Sequence, residues 1–206
     1  MSTELKKMGR KKSYDREELI GKAVDLFRDH GYANTTAEKL SSALGVNRYG
    51  IYAEFGSKQG LFEAALKRYE QENVERNFGP LERPGAGVDE IRTLFEFFGQ
   101  ADRSPAFGRG CLLCNTAVEF GPDDPGGDKF IAHYFKRIEN AFLSALQNAA
   151  SEGEINDTVD VSKEADFFTA TVLGLFVMLR AQAPARLIKN AVDSAVEHLN
   201  LLTRSH

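Results

Sequence analysis

The chain has 206 residues, 42% of them hydrophobic and 27% charged, which is ordinary for a globular protein of one or two domains with ample core. No apolar run reaches the ~18 residues of a membrane span, and the basic N-terminus lacks the apolar core of a secretory signal, so the sequence reads as cytoplasmic. The net charge of −4 is uneven: residues 1–58 carry 11 Lys+Arg against 8 Asp+Glu, and the remainder is acidic by seven charges, which suits a phosphate-facing end on an acidic body.

Residues 1–13 hold Lys6, Lys7, Arg10, Lys11 and Lys12. They read either as a flexible basic arm that follows a phosphate backbone or as a solvated terminus. A first helix opens over residues 15–18, with Tyr14 and Leu19 placed as a hydrophobic staple. Its stripe is Leu19, Ile20, Ala23, Val24 and Phe27, and Gly31 ends it. Thr35-Thr36-Ala37-Glu38 fits a capping box in which the Thr35 hydroxyl takes the Glu38 amide. Ala37, Leu40 and Leu44 then give a short helix one buried face, and Gly45 closes it. Asn47 suits the cap of a second short helix that carries Ile51 inward and Arg48, Tyr49 and Tyr52 outward. Two short helices around a tight turn are a helix-turn-helix, a unit that lays its second helix in the DNA major groove. Ser57 caps a fourth helix, expected to run to about residue 77, whose first turn with Lys58 points amides and an ammonium at phosphate.

Residues 79–87, GPLERPGAG, read as a linker by composition. Helices follow over 88–101, 111–120, 128–151, 162–182 and from Pro184 to about 203, with loops at 102–110 and 121–127. No alternating run with a hairpin signal is found, so the fold class is all-α with about nine helices.

Gly31-Tyr32, Thr35-Thr36, Leu40, Ala43-Leu44-Gly45-Val46, Ile51-Tyr52, Phe55, Ser57-Lys58 and Leu61-Phe62 together resemble the N-terminal domain of the tetracycline-repressor (TetR) family of bacterial transcription regulators. The resemblance covers about the first third of the chain. It implies a DNA-binding domain over 14–58, after the arm at 1–13, and a ligand-binding and dimerisation domain over 59–206. DNA-binding candidates are Thr36, Asn47, Arg48, Tyr49, Gly50, Tyr52 and Lys58. Asn47-Arg48-Tyr49-Gly50 departs from the family's more usual Ser or Thr followed two places on by a small residue, which bears on the bases read. The fourth helix becomes a mechanical link between the two parts.

In the acidic body, Phe95, Phe98, Phe107, Phe120, Phe135, Phe168 and Phe176 either pack as core or line an apolar cavity. The resemblance favours a cavity, with Phe95, Phe98, Cys111, Asn115, Glu119, Tyr134 and Phe176 as ligand-binding candidates and His133 and Arg180 as further polar groups. The last two helices are apolar enough to form a four-helix interface in a homodimer, which would set two reading helices one DNA turn apart on a palindrome. Gly110-Cys111-Leu112 with Asn115-Thr116-Ala117-Val118-Glu119 resembles the sixth helix of one TetR subgroup, and some relatives use a cysteine near this place to sense electrophiles or oxidants. Cys111 near a helix start, with Arg109 beside it, suits a reactive thiolate, and Cys114 lies one turn on. The plain alternative is two small buried residues.

The sequence therefore points to a ligand-responsive repressor released from its operator by a small molecule, or to the same scaffold switched at Cys111 and Cys114. A rival of another class is a helical thiol oxidoreductase, but small helical peroxidases carry a His three residues after the CxxC and this chain has Ala117. No cofactor is expected, and zinc is disfavoured because one CxxC supplies two ligands. The expected partners are operator DNA, a small effector and a second copy, with no membrane.

Overall fold

A computed structural model describes residues 14–100, 107–121 and 128–204, with the side chains of 128 and 129 left out. The arm expected over 1–13 and most of both expected loops lie outside the described residues. The described part is all-α: α1 Arg16–His30, α2 Ala37–Leu44, α3 Arg48–Phe55, α4 Lys58–Tyr69, α5 Glu75–Phe78, α6 Val88–Gly99, α7 Leu112–Glu119, α8 Asp128–Ser151, α9 Val161–Arg180 and α10 Ala185–Leu202. These ten segments make nine helices, because α4 and α5 form one rod through a π-turn, Glu70–Val74. The extended pairing among the described residues is a single antiparallel bridge between Ile155 and Thr203.

Local chemistry sets the first four helices. Asp15 accepts the Glu17 amide at 2.8 Å, Asn47 the Gly50 amide at 2.8 Å and Ser57 the Gly60 amide at 3.0 Å. Gly45 closes α2 in the left-handed region at φ 66°. The expected capping box shifts by one residue. Thr36, not Thr35, is the cap and accepts the Lys39 amide at 3.3 Å. The Glu38 carboxyl is held below its usual range by its own backbone N–H and then by Thr36. Thr35 is fully buried and donates its hydroxyl to Gly31 O at 2.6 Å, which removes it from the cap. Leu19, Ala23, Phe27, Leu40, Leu44 and Ile51 close a small core over the start of the rod, where Leu61 and Phe62 complete it.

The expected linker is part of the fold. Gly79–Glu82 is a 3₁₀ turn, and Leu81 and Ala86 are buried against the body. Arg137 of α8 pairs with Glu75 and, at 2.9 Å, with Glu82, whose carboxyl it holds below the usual range. Asn148 donates to Ala86 O at 3.1 Å. Two apolar anchors and ligands from a distant helix override a loop-like composition that local reading cannot weigh.

In the body, α8 lays its buried face, including Tyr134, Ile138, Phe142 and Leu146, against α9, while α10 packs on α6. Of the phenylalanines expected to line a cavity, Phe95, Phe98, Phe168 and Phe176 fill the space between them. Phe95 stacks with Phe142 at 6.1 Å and tilts against Phe168 at 5.5 Å, and Phe98 meets Phe176 edge-on at 5.2 Å. Aromatic rings at facing positions of α6, α8 and α9 close the gap they were expected to line. Truncating the central ring should leave a void that close packing cannot heal. Phe142→Ala should therefore lose about 3–5 kcal/mol of unfolding free energy, measured by urea titration of the far-ultraviolet circular dichroism.

Candidate nucleic-acid interface and the joint behind it

The outward face of α3 begins at its first turn. Tyr49 is 84% exposed, although large aromatics usually find cover. Arg48 is exposed and lies over the Tyr52 ring at 5.1 Å, which stiffens the guanidinium without hiding it. Asn47 and Gly50 serve the scaffold. The Asn47 side chain is occupied as the cap, and a Cβ on Gly50 would come within 2.7 Å of Val46. Tyr14 donates to Gly50 O at 3.4 Å and ties the entry of α1 to α3. Thr36 is exposed at the start of α2, with its oxygen engaged as the cap. Lys58 does not point freely outward: its ammonium sits 4.1 Å from the Tyr32 ring centre. Burial lowers its pKa, and the nearby Glu119 charge opposes that shift.

Behind this face, a joint fastens the helix-turn-helix to the body. The amides of Tyr32 and Ala33, just past α1, donate to the two oxygens of Glu119 at 2.9 and 2.7 Å. Gly31 is needed there, because its φ of 77° favours glycine and a Cβ would come within 2.7 Å of the carboxylate. Phe120 follows Glu119 into a cluster with Tyr32 and Phe62, at 5.3 and 5.7 Å. Arg180, at the end of α9, donates to the Arg28, Asp29 and Gly108 carbonyls at 3.1, 3.0 and 3.3 Å. A cation on the last-turn carbonyls of α1 satisfies acceptors the helix cannot use and complements its dipole. Arg28 returns a bond to Gly110 O at 2.8 Å. Arg109 grips Asp25 and Asp29, at 2.7 and 2.5 Å.

The ligand-binding candidates divide between core and joint. Phe95, Phe98, Cys111, Tyr134 and Phe176 are buried, and none lines the clefts around α7. Asn115 donates to Arg109 O at 2.8 Å and, with Glu119, Arg180 and His30, lines a cleft of about 420 Å³ at the joint. A second cleft of about 520 Å³ is walled by Ala117, Phe120, Ile131, Phe135 and Leu173. The two share Cys114, Val118 and Val177. His133 lies away from both, exposed, with Nδ1 2.8 Å from Glu70.

The thiols are not arranged for reaction. Cys111 is 2% exposed, with its sulfur 3.2 Å from the buried Tyr134 hydroxyl. Burial, then the neighbouring Cys111, pushes the Cys114 thiol up to about 12. Arg109, expected to favour a thiolate, is turned to Asp25 and Asp29 because two carboxylates on α1 offer it a better site. Among the described residues, no three His, Cys, Asp or Glu are placed to hold a metal ion, and no helix is long and apolar enough to cross a membrane.

Residues 19–65 match the profile described as "Bacterial regulatory proteins, tetR family", and residues 87–195, more than half of the chain, match "Tetracyclin repressor-like, C-terminal domain". The chain belongs to the TetR family. It is 30% identical over 194 residues to the uncharacterized HTH-type transcriptional regulator YezE of Bacillus subtilis (strain 168), spanning 94% of this chain and all of that one. It is 28% identical over 179 residues to the HTH-type transcriptional repressor ComR of Escherichia coli (strain K12), covering 86% and 85% of the two chains. The fold is that of a cysteine-substituted form of the TetR-family regulator CifR solved with 26-base-pair operator DNA, with a TM-score of 0.81 at 23% identity, covering 92% and 98%. The thiol oxidoreductase reading finds no support in these relatives.

Sequence reading named Glu119 and Arg180 as ligand contacts and missed that both hold α1. Nothing local marks them, since their partners are backbone groups some 90 and 150 residues away in the chain. Two outcomes test the joint. Glu119→Ala should speed hydrogen exchange at the Tyr32 and Ala33 amides and lose about 1–3 kcal/mol of stability, because two donors lose a charged acceptor. Cys114 should alkylate far more slowly with iodoacetamide at pH 8 in the folded protein than in urea.

Proposed function

We infer that this TetR-family chain is a homodimeric repressor that binds a palindromic operator and leaves it when a small molecule occupies the clefts around α7. The observation that carries the reading is the α3 face, where Arg48, Tyr49 and Tyr52 are presented on a capped, glycine-bounded helix with no fold partner for Tyr49. Arg48 and Tyr49 would meet base edges, and Tyr52 would meet sugar and phosphate. Thr36 and Lys58 stand at helix starts, where free amides favour phosphate. Asn47 and Gly50 set the height and angle of the helix. The division of the chain into a basic arm at 1–13, a reading domain at 14–58 and a body at 59–206 belongs to this proposal, as does a cytoplasmic place, on the nucleoid when bound.

The dimer rests on α9 and α10. Their outward faces leave Phe167, Leu187 and Leu201 exposed by 42, 48 and 78%. Apolar residues on two adjacent helices fit an isologous four-helix contact. Such a dimer brings two α3 helices to one side, spaced for half-sites ~34 Å apart.

Release follows from the joint. The cleft at the joint is lined by Glu119, Arg180 and Val118, and the first two of these hold the end of α1. A molecule that fits better when α7 shifts would move the turn that orients α2 and α3. A hundredfold change in operator occupancy needs about 2.7 kcal/mol of differential affinity. The cysteine-switched alternative is not favoured, because both thiols are buried.

Fluorescence anisotropy on operator and scrambled duplexes tests the assignments. Tyr49→Ala should weaken operator binding by about 1–3 kcal/mol and leave scrambled binding nearly unchanged, whereas Lys58→Ala should weaken both and lower the salt slope by about one. Equal losses for Tyr49→Ala on the two duplexes would remove it from base reading.

A further inference from the structure

A different cleft lies at the far end of the rod from α3. Its volume is about 530 Å³, within the ~300–1,000 Å³ typical of small-molecule sites. It is formed where α5 and the 3₁₀ turn meet α6, so its wall is the segment that composition alone marks as a linker. Most of the lining is apolar: Leu81, Pro84, Leu94 and Phe97 contribute, and Phe97 is left 50% exposed for want of a cover.

Charge sets this cleft apart. Arg76 and Arg83 line it, and neither has a carboxylate within ion-pair distance among the described residues. The acids nearby are already engaged. Glu75 and Glu82, one residue before each arginine, both pair with Arg137, and Glu90, the one acid in the lining, accepts the Gly87 amide at 2.8 Å. Elsewhere in the body, Arg92, Arg109, Arg137 and Arg204 each meet an acid and Arg180 meets backbone carbonyls, while Arg186 on α10 shares the lack of an acid partner among the described residues. Two guanidiniums with no carboxylate partner among the described residues thus put positive charge at the mouth of an apolar cleft, on a body of net negative charge. A guanidinium fork suits a planar carboxylate, and the apolar floor suits a hydrocarbon or ring behind it.

We propose that this cleft binds a small carboxylate-headed amphiphile, with Arg76 and Arg83 holding the head group and Leu81, Leu94 and Phe97 covering the apolar tail. The site is separate from the clefts around α7 and shares no lining residue with them. Its binding stands whether or not the operator reading holds.

Isothermal titration calorimetry on the full chain without DNA tests it, with decanoate, 1-decanol and decyltrimethylammonium as probes below their aggregation limits. Decanoate should bind at one site per chain, the alcohol at least about tenfold more weakly, and the cation not at all. The Arg76→Gln/Arg83→Gln double variant should lose about tenfold or more of decanoate affinity with unchanged circular dichroism, since both residues are exposed. Val118→Glu, which puts a repelling charge between the clefts around α7, should leave decanoate binding intact. Equal binding of acid and alcohol, an unaffected arginine variant, loss in Val118→Glu alone, or no heat with decanoate would each overturn the proposal.

Discussion

The first two amides after Gly31 find their acceptor in the carboxylate of Glu119, more than eighty residues further along the chain. That contact turns two packing units into one machine. Charge-assisted bonds to backbone amides are short and directional, so they fix an orientation as well as a distance. Arg180 and Arg109 make the same connection on the other side of α1, one through carbonyls and one through carboxylates. The helix-turn-helix is therefore tied to α7 and α9 by these bonds as well as to the rod through its own small core.

This arrangement joins the helix-turn-helix to the body by two routes. One is short and passes through Glu119 and Arg180, which line the cleft beside α7. The other is long and runs through the rod of α4 and α5, whose first residue is Lys58 and whose last turn carries Arg76. Arg137 fixes the far end of the rod to α8 by holding Glu75 and Glu82 together. Lys58 ties the near end to the same joint by lying on Tyr32 beside Glu119. Both routes meet at the turn after α1.

What sequence could tell follows the range of the forces involved. Helix starts at Asp15, Asn47 and Ser57 are local hydrogen bonds, so they were readable, and α8 was readable to the residue from its apolar period. The one-residue error at Thr35 arose because two adjacent threonines offer the same hydroxyl, and only the fold decides that Thr35 turns inward to Gly31. Residues 79–87 failed for a related reason. Their glycines and prolines signal a turn correctly, but the anchoring of Leu81 and Ala86 depends on α8. On the outward face of α3, exposure of Arg48 and Tyr49 followed from the helical period. At the joint almost nothing was visible, since the partners of Glu119 and Arg180 are backbone atoms, which every residue has. The phenylalanines left core and cavity both open in the sequence, and ring-on-ring packing of Phe95, Phe142 and Phe168 uses the space.

The π-turn has a mechanical meaning for the rod. The buried stripe steps from Leu61 and Phe62 to Ala65, Leu66 and Tyr69, and then by five to Val74 before returning to four at Phe78. The Glu75 amide reaches back to Glu70 O, five residues away, across the same gap. The helix thus holds one residue more than its two buried faces require. Such a surplus can be handed along a helix by exchanging one hydrogen bond at a time, and each exchange turns the intervening stretch by about 100° and slides it by about 1.5 Å. The rod accordingly keeps both anchored ends packed while carrying one residue in surplus, and where that surplus sits decides which residues between Tyr69 and Val74 face the body.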